Sequence, residues 1–239
     1  MASEVIAFDK DGTLIDFDSF WISISVMAIR DVLKIFGAER LDVDEILASL
    51  GVKDGKTDID GILCHGTYAQ IGEKIGGFLR SAGCTEPREE IVAAVIEAYN
   101  ENMESGEVKP TCENIREVLL KLKNGGRRLI VVTTDNLEIT SMCLEKLDIK
   151  DLFDKIYTDD GKTPVKPNPQ CIFDYCQGEG IDKDKVIMVG DTMTDVNFAK
   201  NAGIRIISVA ADEENRKRLA PYADAVIPDI SHIFEIAEV

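Results

Sequence analysis

The sequence predicts an α/β protein: a Rossmann-like parallel sheet core with an all-helical module inserted behind its first strand. Three observations carry this prediction. From Lys109 onward, short continuous apolar runs alternate with helical patterns, which is how strands buried on both faces read. Residues 18–108, directly after the first apolar run, show helical periodicity and no comparable run. Carboxylates, a threonine and a lysine recur just beyond the apolar runs, where a parallel sheet opens its ligand crevice.

The first strand is Val5 to Phe8, ending at Asp9-Lys10-Asp11-Gly12. If it continued through Asp11, strand alternation would point Asp9 and Asp11 into one small space, where two carboxylates repel unless a cation or a proton intervenes. A helix follows from the cap positions Asp18 or Ser19 to Gly37, then helical patterns at Val43–Leu50, Thr67–Ala82 and Pro87–Met103. Gly51–Gly66 between them reads as a polar loop. In the second half, Pro110 and Thr111 open a helix that stops at Gly125-Gly126, and Arg128–Thr133 is the second strand. Asp135 stands three residues before Glu138, the spacing of a capping box for a helix reaching Leu147. Strands at Lys155–Thr158, Lys185–Gly190, Ile204–Val209 and Ala225–Ile227 alternate with helices at Pro169–Gly178, Thr194–Ala202 and Asp212–Leu219. The domains expected are a core of residues 1–17 and 109–239 and an inserted helical domain of residues 18–108.

Bulk composition narrows the partners. The chain has 239 residues, 45% of them apolar, and a formal net charge of −17. That field repels nucleic acid and anionic membrane surfaces, so neither is an expected partner. Without a leader-like segment or a run of about 20 apolar residues, the expectation is a soluble cytoplasmic protein. The six cysteines show no Cys-x-x-Cys spacing and read as reduced packing residues.

The polar residues at the strand ends are specific in chemistry. Asp9, Asp191 and Asp195 offer the hard oxygen ligands that magnesium prefers. Thr133-Thr134 at one strand end, helix-start amides and Lys166 suit a phosphoryl group. A carboxylate beside such a group implies phosphoryl transfer through an aspartyl-phosphate.

Four segments, Asp-Lys-Asp-Gly-Thr-Leu at 9–14, Thr133, Lys166 before Pro167, and Gly-Asp-Thr-Met-Thr-Asp at 190–195, resemble in order the four signatures of the haloacid dehalogenase superfamily of phosphohydrolases. The insert matches by position and helical character the cap of the phosphoglycolate phosphatase and beta-phosphoglucomutase branch. The resemblance implies Asp9 as nucleophile and Asp11 as proton carrier. It implies Thr133, Thr134 and Lys166 as phosphoryl-binding groups. Mg2+ would be held by Asp9, the Asp11 carbonyl and Asp191, with Asp195 acting through water or a hydrogen bond. Asp11 argues against carbon–halogen chemistry. Lys10 resembles the lysine of the ion-pumping ATPase signature, but Asp11 in place of threonine rules that family out. The expected substrate is a small phosphorylated metabolite, acted on by a monomer or homodimer. A phosphomutase using the same aspartyl-phosphate is the first alternative, and a non-catalytic binding protein the second. Within the insert, Phe20 and Trp21 are either pocket-lining or ordinary core aromatics, His65 is either a specificity residue or an ordinary loop residue, and Lys53 and Lys56 are candidates to recognise a carboxylate or second phosphate on the substrate.

Overall fold

The computed structural model describes residues 3–58 and 61–236. The chain divides into two compact units, Met1–Asp16 with Val108–Val239, and Phe17–Glu107.

The first unit begins with β1 (Val5–Phe8), all four residues of which are buried. The second unit then follows as α1 (Phe17–Ile35), α2 (Val43–Ser49), β2 (Val52–Lys53), β3 (Lys56–Thr57), α3 (Ile62–His65), α4 (Tyr68–Ser81) and α5 (Arg88–Asn102). The first unit resumes with α6 (Ile115–Asn124), β4 (Arg128–Asn136), α7 (Leu137–Lys146), β5 (Lys155–Asp159), α8 (Gln170–Glu179), β6 (Val186–Gly190), α9 (Met193–Ala202), β7 (Arg205–Val209), α10 (Glu213–Leu219) and β8 (Ala225–Ile227).

Six strands form one sheet in the order β5-β4-β1-β6-β7-β8, and every pairing in it is parallel. The alternating runs produce this because a parallel neighbour requires a crossover, and the intervening helices supply it. Val5 and Ala7 join Ile130, Val132, Val186 and Met188 in a cluster with Ile172, Val196 and Phe198 of α8 and α9. By alternation Ile6 and Phe8 serve the opposite face, where Phe8 meets Phe153 edge to face at 6.3 Å between centroids. Both faces are thus covered, which is why the strands carry no polar alternation. The consequence for function lies in β1. It sits between β4 and β6, so strand order reverses there, and the crevice of a doubly wound sheet opens at the carboxyl end of that strand.

In the second unit, α5 packs against both α1 and α4. Its apolar stripe, Ile91, Val95, Ala98 and Tyr99, is buried, as are Ile24, Ala28 and Val32 of α1 and Ile71, Ile75 and Leu79 of α4. Thr67 and Gln70 form a capping box at the start of α4, bonding each other's backbone amides. Tyr99 is fully buried, and its hydroxyl donates to Ser25 Oγ at 2.8 Å, which in turn donates to the Trp21 carbonyl at 2.8 Å. Tyr99→Phe keeps the ring but leaves Ser25 without that donor. The expected loss is about 1 kcal/mol, read as a lower denaturant midpoint of the variant.

In two details the structure departs from the pattern read in the sequence. The Gly51–Gly66 segment is not all loop. Lys53 and Lys56 pair across a two-residue Asp54-Gly55 turn with φ of 52° and 74°, the doubly positive geometry of a tight hairpin, and α3 follows. The strands there are too short for alternation to show, although Asp-Gly was the turn signal. The α7 cap is Asn136, whose side chain accepts from the Ile139 amide at 2.9 Å, and not Asp135. Strand β4 runs through both residues with a register shift between Val132 and Asn136, displacing the cap by one position.

Candidate active site

Strand β1 stops at Phe8, and the chain turns at Gly12, whose φ is 74°. Alternation therefore does not extend to Asp11, and the two acids of this turn bond different lysines. The Asp9 carboxylate Oδ1 accepts from Lys166 Nζ at 2.5 Å, whereas Asp11 Oδ1 accepts from Lys10 Nζ at 2.7 Å. Two separate groups of charges result.

The first group is built on three loops of the sheet. Asp9 follows β1 and its amide donates to the Val189 carbonyl at 2.8 Å, tying the end of β1 to β6. Asp191 follows β6, and Asp195 stands in the first turn of α9. Lys166 reaches in from the loop before α8 and donates also to Asp195 Oδ1 at 2.6 Å. Asp195 is fully buried, and its Oδ2 accepts from the Thr192 amide at 3.1 Å and the Thr192 hydroxyl at 2.7 Å. It is thus both a helix-start cap and an anchor for Lys166, with its two oxygens already engaged. Thr13, also buried, offers its hydroxyl to Asp191 Oδ1 at 3.4 Å.

Two glycines make this approach possible. A Cβ on Gly12 would lie 2.0 Å from Asp191 Oδ2, and one on Gly190 would lie 2.4 Å from Asp195 Cγ. Gly12→Ala also places a side chain at positive φ, so it is expected to cost more than 1–2 kcal/mol and to displace Asp191. Loss of divalent-cation affinity, measured by calorimetric titration on the folded variant, checks this.

Electrostatics show what the first group lacks. One ammonium, that of Lys166, pairs with Asp9 and Asp195, while Asp191 adds a third carboxylate to the same cluster. Burial pushes the Asp9 carboxyl up to about 7 against the pull of Lys166, with Asp195 and Asp11 adding to the rise. Burial, then Asp9 and Asp195, raises Asp191 well above the carboxylate range. For Lys166, burial opposes the charge, but Asp195 and Asp9 outweigh it and hold the ammonium above its ordinary value. Two carboxyls held from ionising chiefly by burial, with neighbouring acids adding to it, are relieved by a cation. The donors fit one: an oxygen from each of Asp9, Asp191 and Asp195 lies within 4.8 Å of the others, against about 4.2 Å across an octahedral magnesium shell.

The second group was hidden in the sequence. Lys10 is fully buried beside the turn, paired with Asp11 at 2.7 Å and with Asp135 Oδ2 at 2.9 Å. Burial works against its charge, but Asp11 and Asp135 outweigh that and raise its pKa. A lysine in a glycine-containing turn is ordinarily solvated. The signal that could have found it is its place one residue past a wholly buried strand.

Thr133 is buried near the end of β4, its hydroxyl accepting from the Asp135 amide at 3.1 Å, and Thr134 is exposed. In the second unit, Lys53 and Lys56 are exposed on their hairpin. Trp21 lies on α1 against Phe17 and Phe20, with its indole N–H buried.

Comparison with known proteins agrees with the geometry. Residues 67–209 match the family of haloacid dehalogenase-like hydrolases. Phosphoglycolate phosphatase 1 of Pseudomonas aeruginosa is 23% identical over 226 residues, covering 94% of this chain and 76% of that protein. Pyrophosphatase PpaX of Bacillus velezensis is 27% identical over 236 residues, covering 98% and 96%. The crystal structure of a HAD-superfamily hydrolase, subfamily IA, variant 1, from Geobacter sulfurreducens shares the fold, with a TM-score of 0.68 at 19% identity and coverage of 98% and 95%. The chain belongs to the haloacid dehalogenase-like hydrolases. Within that family it is an enzyme of the phosphatase class. Among the described residues no helix is long and apolar enough to cross a membrane.

Proposed function

We propose that the chain is a magnesium-dependent phosphatase that hydrolyses a small phosphorylated metabolite through an aspartyl-phosphate on Asp9. The observation that carries this reading is the convergence of Asp9, Asp191, Asp195 and Lys166 at the carboxyl ends of β1 and β6, with a deficit of positive charge. Mg2+ would be held by the Asp9 and Asp191 carboxylates with the Asp11 carbonyl, and would supply positive charge to the phosphoryl oxygens. Asp195, its oxygens committed to Lys166 and Thr192, positions the lysine rather than binding the ion directly.

In the first step an Asp9 carboxylate oxygen attacks phosphorus as the bond to the leaving oxygen breaks, and Asp11 gives its proton to that oxygen. In the second, Asp11 takes a proton from water, the water oxygen bonds phosphorus, and the acyl-phosphate electron pair returns to Asp9. Lys166 steadies both the carboxylate and the phosphoryl charge, and Thr133 with Thr134 supplies donors to the same group. Residues 1–17 and 109–239 are taken as the catalytic core and 18–108 as a cap domain.

Phosphoglycolate and pyrophosphate, named in the relatives, lead the substrate panel. Phosphate release from such a panel with Mg2+ is the test. Activity is expected with Mg2+, to fall at least about a hundredfold on chelation, and to return when Mg2+ is restored. Absence of release from every member, or release indifferent to chelation, overturns the reading.

A further inference from the structure

Lys10 does work that the proposed reaction has not yet claimed. Its ammonium has no exposed surface, and taking a charge wholly out of water costs several kcal/mol before partners compensate. A leucine would fill such a place without that cost. The partners it finds are selective: Asp11 in its own turn, and Asp135 from the far end of β4. The two lysines of this region thereby divide its acids. Lys166 takes Asp9 and Asp195, and Lys10 takes Asp11 and Asp135.

Were Asp11 to join the first group, four carboxylates would crowd one ammonium, and the Asp11 carboxylate would compete for the cation as a ligand. With its oxygen bonded to Lys10 it stays out of that cluster. Asp135 in turn fixes the lysine to the strand that carries Thr133 and Thr134, so the nucleophile turn and the phosphoryl-binding strand end are held to each other.

We propose that Lys10 is a positioning residue that keeps the Asp11 carboxylate apart from the Asp9, Asp191 and Asp195 cluster, with Asp135 as its anchor. This rests on the reading of Asp11 as the proton carrier. The consequence separates the two chemical steps. With p-nitrophenyl phosphate the leaving phenolate departs without needing a proton, so the first step is insensitive to Asp11. The second step still requires Asp11 to take a proton from water.

The experiment is rapid-mixing turnover of p-nitrophenyl phosphate with Mg2+ by the unsubstituted chain, Lys10→Met and Asp135→Asn. In Lys10→Met the burst of nitrophenolate is expected within about threefold of the original rate, while steady-state phosphate release falls about tenfold or more and acid-stable phosphoenzyme accumulates. Asp135→Asn is expected to show the same split at smaller size, and it decides the matter if Lys10→Met does not fold by circular dichroism. A burst and a steady state that fall together, or a steady state changed less than about twofold, overturn the role of Lys10 and leave the phosphatase reading intact. No nitrophenolate from the unsubstituted chain, with no phosphate from any panel member, overturns both.

Discussion

Exchange of Asp9 for Asn is expected to lower magnesium-dependent phosphate release by at least about a thousandfold and to eliminate acid-stable phosphoenzyme. An amide nitrogen cannot form the acyl-phosphate, and the amide is also a poorer ligand for a hard cation. The same substitution carries a second signature, in stability. The Asp9 carboxyl is raised by burial from 3.8 to about 7. Between those values the folded protein binds a proton that the unfolded chain has already lost. In chelated protein the Asp9 contribution therefore weakens as pH rises through that window, on the order of 1.4 kcal/mol for each pH unit, and is flat above it. Asp9→Asn removes this slope. Thermal unfolding in chelator should show the variant gaining on the original protein from about pH 4 to about pH 7, with the advantage shrinking when Mg2+ is added. Activity that survives the substitution would sink the covalent mechanism. A difference in stability independent of pH would sink the account of the site's charge.

Lys166→Met has the next largest effect. Its ammonium is the only cation bonded to both Asp9 and Asp195 among the described residues, and all three side chains are buried. Removing one member of a buried charge group leaves the others uncompensated, at a cost of about 3–5 kcal/mol. Turnover is expected to fall by at least about a hundredfold. The denaturant midpoint in chelator should drop by the corresponding amount and recover partly with Mg2+, which stands in for the lost charge. Asp195 should also lose its constraint. Unchanged stability in chelator would mean that the carboxylates are neutral without the lysine.

How much of this was legible in the sequence depends on the length scale of the signal. Runs such as Val186–Gly190 are long enough to declare a buried strand, and Gly203, with a φ of 67°, ends α9 where its glycine suggests. Asp9, Asp191, Asp195 and Lys166 were legible because the sheet places each at a strand or helix end, and three of the four elements involved lie side by side or adjoin β6. What was not legible turns on single-residue geometry. The apolar run ends at Phe8 in sequence and structure alike, but nothing in it says that Asp9 and Asp11 bond different lysines. Asp135 and Asn136 are adjacent residues of nearly equal cap propensity, and only the bulge in β4 decides between them. The burial of Lys10 depends on Asp135, more than a hundred residues away in sequence, and no local pattern encodes such a pairing.

The central place of β1 has a consequence for folding. Residues 5–8 pair with residues 128–131 on one side and 186–189 on the other. Asp9 and Asp191, which follows β6, are thus brought together from far-apart stretches of the chain. Contacts so distant along the chain form slowly, because closing the long loop costs entropy before the pairing repays it. Without β6 and the turn into α9, Asp9 has neither Asp191 beside it nor Asp195 to anchor Lys166. The acidic cluster is therefore complete only when the sheet has closed around β1, so phosphatase activity is expected to report completed folding.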